Sequence, residues 1–332
     1  MGDPEISCLV VGLNPAWQKT LRFERFDYGE VNRAVSCNAM ASGKGINVVR
    51  ALNQLGVTPT IAQFAGGSTG RMIVDELDTL GWRHLTVFSD SPTRTCTTVL
   101  SDSDASMTEL IEPSPTISES EVRHLREKIR TLLSHVSTMV ISGTVPDGIP
   151  DTFTADLIRQ VRSHSWVVLD ACQDVLPVLA AGPHLLKVNR AELAILTDRD
   201  DVVSGARWIL DHYPVGAVGV TDGAQDALLV LCDQAFFYKI PKLSDVLNPL
   251  GAGDSATAAL AVGLASASSK AKSNPACMIS GGNFADIANS AFRRALAVAS
   301  ASCLTEQPAV FSLDTMAEIE SKIQVEQRRL SL

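Results

Sequence analysis

The chain has 332 residues, a length that fits two domains or one large α/β unit. Hydrophobic residues make up 45% of it and charged residues 20%, so the chain can bury a core and is not intrinsically disordered. Its net charge of −9 argues against a non-specific nucleic-acid-binding surface and against a polybasic membrane anchor.

Short apolar runs alternate with amphipathic patterns along most of the chain. Runs rich in Val, Ile and Leu predict buried strands at 6–12, 58–64, 138–141, 166–169 and 217–220. Apolar residues at helical spacing predict helices at 43–55, 70–80, 119–133, 152–162 and 202–210. Strands that alternate with helices indicate βαβ units, so we expect a parallel sheet that is covered by helices on both faces.

Two stretches lack helical patterns. Residues 18–38 and 94–111 are extended and alternating, and we expect them to pair into a small second sheet. With their flanks, about 14–40 and 92–112, they would form a lid within a single domain that spans residues 1–332. Near the C-terminus, Ala265–Asn274 is small and polar, which predicts a mobile surface loop between two helices.

The cysteines and histidines form no recognisable disulfide or metal pattern. The seven cysteines are odd in number and none is in a C-x-x-C pair, and none of the six histidines belongs to an H-E-x-x-H motif. The first residues lack the basic region of a signal peptide, and no apolar run approaches the roughly 20 residues of a membrane span. We therefore expect a cytoplasmic protein with reduced thiols and no membrane partner.

The clearest chemical motif lies where a loop passes into a helix of small apolar residues, and it consists of Gly251, Ala252, Gly253 and Asp254. Such a helix start offers free backbone N–H groups and the positive end of the dipole, and glycine lets a phosphate approach closely. Asp254 would then be placed to take the proton of a hydroxyl that attacks phosphorus. The alternative is that Asp254 only satisfies N–H groups of its own helix.

A second glycine-rich segment, SGKGIN at Ser42–Asn47, opens the helix predicted over 43–55. Gly43 would permit close approach of a second ligand, and Lys44 and Asn47 would supply hydrogen-bond donors. The position of Lys44 does not fit a Walker A loop.

These two motifs are joined by four further segments: SGTVPDGIP, VLDACQDVL, LLKVNRAEL and GVTDGAQDALLV. In this order the six segments resemble the ribokinase/PfkB-type carbohydrate kinase family over nearly the whole chain. The resemblance implies a ribokinase-like three-layer αβα sandwich with a mainly parallel central sheet and a small β-sheet lid. The segments GLNPAWQKT, GEVNR, TRTCTTV and TELIEPSP resemble the phosphosugar branch of that family, which includes 1-phosphofructokinase and tagatose-6-phosphate kinase.

The resemblance implies phosphoryl transfer from ATP to a hydroxyl of a ketohexose phosphate, such as fructose 1-phosphate, fructose 6-phosphate or tagatose 6-phosphate. Asp254 would be the base, and Gly251, Ala252 and Gly253 would form the anion hole. The substrate would be bound by Gln18, Gly43, Lys44, Asn47, Arg94 and Thr144. Among these, Lys44 and Arg94 would hold the phosphate, with Arg33 as a weaker candidate.

The resemblance also implies a nucleotide site. Asn189, Thr221 and Gly223 would bind ATP, and Asn189 and Glu192 would act on Mg²⁺ through water. The alternative for Asn189 and Glu192 is an exposed polar pair in the interior of a helix. Because lids of this family often pair, we expect a homodimer through the lid.

Four positions depart from the family pattern. Gln18 stands where the phosphosugar branch has an acidic residue, Ser42 replaces a glycine, Val188 stands where a proline is usual, and Ser300 stands near a usual glycine. These departures leave open a kinase of a non-phosphorylated sugar or nucleoside, and a sugar-phosphate-binding protein with weakened catalysis. The segment from Asn14 to Arg50 holds six cations and three acids, so it carries 6 − 3 = +3, and the overall charge of −9 does not exclude an anionic substrate there.

Overall fold

The computed structural model describes residues 7–171, 173–271, 274–280 and 283–330. It contains fourteen strands within these ranges: β1 (Cys8–Val11), β2 (Ala16–Phe23), β3 (Ser36–Ser42), β4 (Thr60–Gly66), β5 (Arg83–Ser89), β6 (Thr95–Ser101), β7 (Ser106–Ile111), β8 (Thr138–Ser142), β9 (Trp166–Asp170), β10 (Leu185–Asn189), β11 (Ala217–Thr221), β12 (Ala227–Val230), β13 (Gln234–Lys239) and β14 (Gln324–Arg329).

The described ranges also contain eleven α-helices. They are α1 (Lys44–Gln54), α2 (Gly67–Thr79), α3 (Glu119–Arg130), α4 (Thr152–Val161), α5 (Leu176–Ala180), α6 (Arg190–Thr197), α7 (Val202–His212), α8 (Ala252–Ala271), α9 (Pro275–Ser280), α10 (Phe284–Ser302) and α11 (Leu313–Lys322).

Ten strands form the large sheet, in the order β14-β13-β12-β11-β10-β9-β8-β1-β4-β5. The seven from β11 to β5 pair in parallel, and β12, β13 and β14 add to one edge in antiparallel fashion. The inner parallel strands are buried and rich in Val, Ile and Leu, as burial on both faces requires, whereas the edge strand β5 is only partly buried. The expectation of a mainly parallel central sheet is confirmed.

Helices cover both faces of this sheet, and alternate residues of one strand show it. In β1, Val10 joins a core with residues of α1, α2, α8, α10 and α11, whereas Leu9 and Val11 join a second core with residues of α3, α4, α5, α6 and α7. Successive side chains of a strand point to opposite faces, so the two cores lie on either side of the sheet. The three-layer αβα architecture is therefore confirmed.

The small sheet has the strand order β3-β2-β6-β7. Its strands come from the two stretches in which no helix was predicted, and β2 pairs with β6 in parallel although they lie far apart in sequence.

Within the described residues, no helix has both the length and the apolar character that crossing a bilayer requires. The structure describes the side chains of five of the seven cysteines, and all five are free thiols.

The predicted loop at Ala265–Asn274 is wrong for most of its length. Helix α8 runs to Ala271, and only Lys272 and Ser273 of the segment lie outside the described residues. Leu264 and Ala265 are buried against the core. Alanine is the best helix former and lysine a good one, so a run of small residues that packs on the sheet continues the helix instead of ending it.

Candidate active site

All fourteen predicted site residues line one cavity of about 1020 Å³. It lies at the carboxyl ends of the parallel strands, where ligands of α/β sheets bind, and the small sheet forms one wall. The fourteen are Gln18, Gly43, Lys44, Asn47, Arg94, Thr144, Asn189, Glu192, Thr221, Gly223, Gly251, Ala252, Gly253 and Asp254. Arg33 is exposed and does not line the cavity.

The start of α8 and the glycine before it present backbone donors to the cavity. Gly251 has φ +78°, and a Cβ atom there would lie 2.9 Å from the backbone nitrogen of Ala309, so only glycine fits. The N–H of Ala252 donates to the carbonyl of Pro249 at 3.3 Å. The N–H groups of Gly253 and Asp254 have no backbone acceptor in the described part of the chain, so they remain available for an anion.

Asp254 lies in the first turn of α8 and is only 6% exposed. Its Oδ2 accepts a hydrogen bond from Nδ2 of Asn47 at 2.8 Å. Burial, and then the negative charge of Asp170, raise the pKa of Asp254 to about 6. A carboxylate with such a pKa is suited to act as a general base near neutral pH.

A second buried carboxylate, Asp170, ends β9 and was not predicted as a site residue. Its Oδ2 accepts hydrogen bonds from Nζ of Lys187 at 3.1 Å and from Oγ1 of Thr257 at 2.7 Å, and its Oδ1 lies 3.5 Å from Nζ of Lys44. Burial works to raise the pKa of Asp170, but the two lysines outweigh it and hold that pKa below its ordinary value. The sequence signal for Asp170 is a charged residue directly after four buried apolar residues of a parallel strand.

Lys187 is a buried cation beside the first turn of α8. It is 4% exposed, and a Cβ atom on Gly253 would lie 3.0 Å from its Nζ. No role was predicted for Lys187 from the sequence, because a lysine inside an apolar strand has no diagnostic spacing. Its ammonium group adds positive charge beside the free N–H groups in the first turn of α8.

Asn189 and Glu192 form a capping box at the start of α6. Oδ1 of Asn189 accepts from the N–H of Glu192, and Oε2 of Glu192 accepts from the N–H of Asn189, both at 2.8 Å. The interpretation as a pair in a helix interior is therefore wrong. Oε1 of Glu192 lies 3.5 Å from Nζ of Lys44, which places this helix start beside the carboxylate of Asp170.

Arg94 lies between the small sheet and the loop after β1. Its Nη2 donates to the carbonyl of Asn14 at 3.2 Å, and its buried Nε has no hydrogen-bond acceptor. No carboxylate of the described residues lies within 4.0 Å of its guanidinium. Arg94 is thus a partly buried cation that lines the cavity without an ion-pair partner among those residues.

Asn14 and Ser142 also line the cavity and were missed in the sequence. Nδ2 of Asn14 donates to Oγ1 of Thr144 at 2.8 Å and to Oγ of Ser114 at 2.7 Å. Oδ1 of Asn14 and Oγ of Ser142 are buried without a partner. Gln18 uses its amide NH₂ group within the small sheet, where it donates to Oγ1 of Thr98 at 2.8 Å.

The far end of the cavity is more apolar. Thr221 ends β11, and Gly223 has φ +57° in the following turn with open space around it. The adjoining wall contains Ile240, Leu243, Val246, Leu296, Ala299, Ser300 and Cys303. An apolar wall next to backbone and hydroxyl groups suits a planar base attached to a polar group.

The family model for pfkB family carbohydrate kinases matches residues 7–316. Phosphofructokinase-2 from Escherichia coli in complex with potassium is 25% identical, with a TM-score of 0.81 over 96% of this chain and 99% of that one. A possible 1-phosphofructokinase from Thermotoga maritima (22% identity, TM-score 0.79, 98% and 100% coverage) and ribokinase from Giardia lamblia (16%, 0.77, 94% and 99%) share the fold. The chain belongs to the pfkB family of carbohydrate kinases.

Proposed function

We propose that this sugar kinase transfers the γ-phosphoryl group of ATP to a hydroxyl of a ketohexose phosphate. Asp254 takes the proton of the acceptor hydroxyl, whose oxygen forms a bond to the γ-phosphorus. The bond from that phosphorus to the oxygen that bridges to the β-phosphorus breaks, and ADP leaves. The buried position of Asp254 and the upward shift of its pKa to about 6 support this role.

The charge that develops on the transferred group would meet the backbone N–H groups of Gly253 and Asp254. Lys187 lies beneath them, within 3.0 Å of where a Cβ atom of Gly253 would be. Asp170 holds Lys187 in place through the 3.1 Å ion pair, so the donors are positioned before the reaction.

Mg²⁺ fits the proposed site only together with ATP and water. Within the described residues, no group of three or more His, Cys, Asp or Glu side chains could hold a metal ion alone. Mg²⁺ usually keeps several waters and binds one or two carboxylates plus phosphate oxygens, which fits Glu192 and Asn189 at the cavity wall. The ion would neutralise charge on the phosphates of ATP.

One observation carries the choice of a phosphorylated acceptor. Arg94 lines the cavity near Gly43 and Thr144 with no carboxylate within 4.0 Å among the described residues, and its buried Nε lacks an acceptor. A partly buried cation without an ion-pair partner is costly, and a phosphate dianion would satisfy it with two parallel hydrogen bonds. A neutral sugar would leave that cost in place.

A substrate panel tests the proposal. ADP release is measured with fructose 1-phosphate, fructose 6-phosphate, tagatose 6-phosphate, the free sugars and nucleosides, at equal concentrations. We expect kcat/KM to be at least a hundredfold higher for one sugar phosphate than for any free sugar or nucleoside, because a desolvated charge-assisted phosphate contact is worth roughly 3 kcal/mol. A free sugar or a nucleoside as the best substrate would contradict the proposal.

We also propose that two chains associate through the small sheet. All six residues of β7 are exposed, and Met107 and Ile111 are apolar residues on the sheet face that lines the cavity. An exposed apolar face with an open strand edge favours a partner that covers it.

A further inference from the structure

Arg50 is a buried cation that does not line the cavity and has no assigned role. It is 7% exposed and lies on α1, three residues after Asn47. Its Nη1 donates to Oδ1 of Asn47 at 3.1 Å, and its Nη2 donates to the carbonyl of Ala41 at 2.8 Å. The charge is balanced by Glu76, whose Oε1 lies 3.9 Å from Nη2. Burying a charged guanidinium costs desolvation free energy, so its burial here indicates that it positions other groups.

The hydrogen bonds of Asn47 show what that position controls. Oδ1 of Asn47 accepts from Nη1 of Arg50 and from Oγ of Ser42 (3.2 Å), while Nδ2 donates to Oδ2 of Asp254 (2.8 Å). An arginine side chain can only donate hydrogen bonds, so it can bind only the oxygen of the amide. A serine hydroxyl can donate and accept, so it can bind either end of the amide. Arg50 therefore fixes which end of the amide faces Asp254.

We propose that Arg50 is a positioning residue that holds the NH₂ group of Asn47 toward Asp254 and links this arrangement to the end of β3. The link is direct, because the same guanidinium binds the carbonyl of Ala41, whose N–H donates to Oε2 of Glu76 at 2.7 Å. Ala41 is the residue before the last in β3, which belongs to the small sheet. A shift of that strand would act on the amide of Asn47 through the one planar guanidinium group that binds both.

This inference rests on the role of base proposed for Asp254. Without Arg50, the amide of Asn47 can turn and set its oxygen against the carboxylate of Asp254, which disfavours the ionised form. The other charged groups that act on Asp254 are Asp170 from β9, Lys187 from β10 and Lys44 from α1, and these remain when Arg50 is replaced. Arg50 also interacts directly with Asp254 through its positive charge. Arg50→Met removes this charge together with the hydrogen bond to Asn47, whereas Arg50→Lys keeps the charge.

The test compares Arg50→Met with Trp82→Leu. Trp82 packs on the guanidinium, with 5.6 Å from Cζ of Arg50 to the ring centroid. Among the described residues, it makes no hydrogen bond to the amide of Asn47. Both variants lose stability, whereas only Arg50→Met frees the amide. The rate is measured from pH 5.5 to 9 at saturating ATP, with the sugar phosphate that gives the highest turnover.

We expect the acid limb of the kcat/KM profile to move up by about one pH unit in Arg50→Met and to stay in place in Trp82→Leu. Such a shift lowers the rate at pH 6, relative to pH 9, roughly fivefold. The phosphate of the substrate also titrates near pH 6, but equally with both enzymes, so the difference between profiles reports the protein. An unchanged acid limb in Arg50→Met, or an equal shift in Trp82→Leu, would overturn the proposal.

A second measurement covers the case in which Arg50→Met does not fold. Arg50→Lys keeps a buried cation but cannot bind Asn47 and Ala41 with one rigid fork. In protein labelled with ¹⁵N-asparagine, the Asn47 side-chain NH₂ signals of the wild type should follow the ionisation of Asp254 with pH, and in Arg50→Lys they should lose part of that response. An undiminished response in Arg50→Lys would count against the proposal. Full turnover in Asp254→Asn would instead remove the base on which the proposal rests, so the two failures are distinguishable.

Discussion

Asp254 and Asp170 are both buried, yet their surroundings move their pKa values in opposite directions. Burial and the charge of Asp170 raise the pKa of Asp254 to about 6, whereas Lys187 and Lys44 overcome the effect of burial at Asp170. Two nearby carboxylates with separated pKa values take different roles. Asp254 can exchange a proton near neutral pH, and Asp170 remains charged and anchors the lysines.

Arg94 gives a prediction at the level of a single side chain. Replacing it by alanine should raise KM for the sugar phosphate at least tenfold and change the weak turnover of the free sugar less than twofold, because only the phosphate contact is lost. Initial rates over a range of substrate concentrations give both values. Arg159→Ala, at an exposed arginine paired with Asp156 on α4, is the control and should change neither. A parallel loss for both substrates would show that Arg94 acts on structure and not on the phosphate.

The site residues predicted from the sequence line one cavity, but the buried charged pair of Asp170 and Lys187 was not predicted. Glycine-rich motifs at helix starts indicated Lys44 and Asp254 directly, whereas Asn189 was expected only through the family resemblance. Asp170 and Lys187 lie inside or at the end of apolar strands. Their importance comes from pairing across β9 and β10, which only the folded sheet reveals.

At the level of secondary structure, a close contact between β1 and α1 sets the position of the substrate motif. A Cβ atom on Gly45 would lie 2.6 Å from Cα of Gly12, closer than side-chain carbons approach a backbone. The first turn of α1 can therefore lie directly over the loop that follows β1. This contact brings Lys44 and Asn47 to the carboxyl ends of the strands.

Gly45→Ala tests this contact. The added methyl group must push α1 away from β1, so we expect a loss of roughly 1–3 kcal/mol in the free energy of unfolding and a clear loss of turnover. Denaturant unfolding and ADP release measure the two effects. Gly56→Asn is the control, since Gly56 has φ +79° with open space around it and asparagine tolerates that conformation. Equal stability of the two variants would contradict a steric role for Gly45.

Predicted elements agree with the structure where periodicity was strong. The helices predicted at 152–162 and 202–210 correspond to α4 and α7 within two residues at each end. Strands β12 to β14 were not predicted. For β14 the reason is that a short edge strand such as QVEQRR carries little apolar alternation and gains its order from pairing with β13. The error at Ala265–Asn274 has the same origin, since packing on the core outweighs local composition.

At the scale of the whole molecule, the core contains a histidine that resists protonation. His184 is 4% exposed, its Nδ1 accepts from the N–H of Val167 at 3.0 Å, and its ring lies edge-on to Trp166. Burial, and then the charge of Arg162, lower the pKa of His184 from 6.5 to about 4. Between these values the unfolded chain takes up a proton that the folded chain does not, so stability falls as pH falls from about 6.5.

Asp254 acts in the opposite sense over the same range, because its raised pKa makes the folded chain take up a proton below pH 6. The effect of His184 is therefore measured in Asp254→Asn. We expect this variant to lose about 2 kcal/mol of unfolding free energy between pH 7 and pH 5, and Asp254→Asn/His184→Gln to lose much less. Denaturant unfolding at pH 7 and pH 5 measures these losses. An equal loss of unfolding free energy in the two variants would show that His184 titrates normally.

Association through the small sheet gives a prediction for mass in solution. Light scattering at micromolar concentration should give twice the 35.4 kDa of the chain. Met107→Glu on β7 should reduce the mass to that of one chain, because a charge would enter the proposed interface. Met72→Glu on α2 is the matched control, since Met72 is 43% exposed and Met107 is 42% exposed. Monomeric wild type, or a dimer that persists in Met107→Glu, would contradict the proposal.

The most direct test of the proposed function is turnover by Asp254→Asn, measured with binding of ATP and of the best sugar phosphate to the same protein. Asparagine keeps the size of the side chain but cannot accept the hydroxyl proton. We predict that the rate of ADP release falls by about two to four orders of magnitude. Calorimetry should find both ligands bound within about threefold of the wild-type affinity. Turnover within tenfold of the wild type would contradict the assignment of Asp254 as the base.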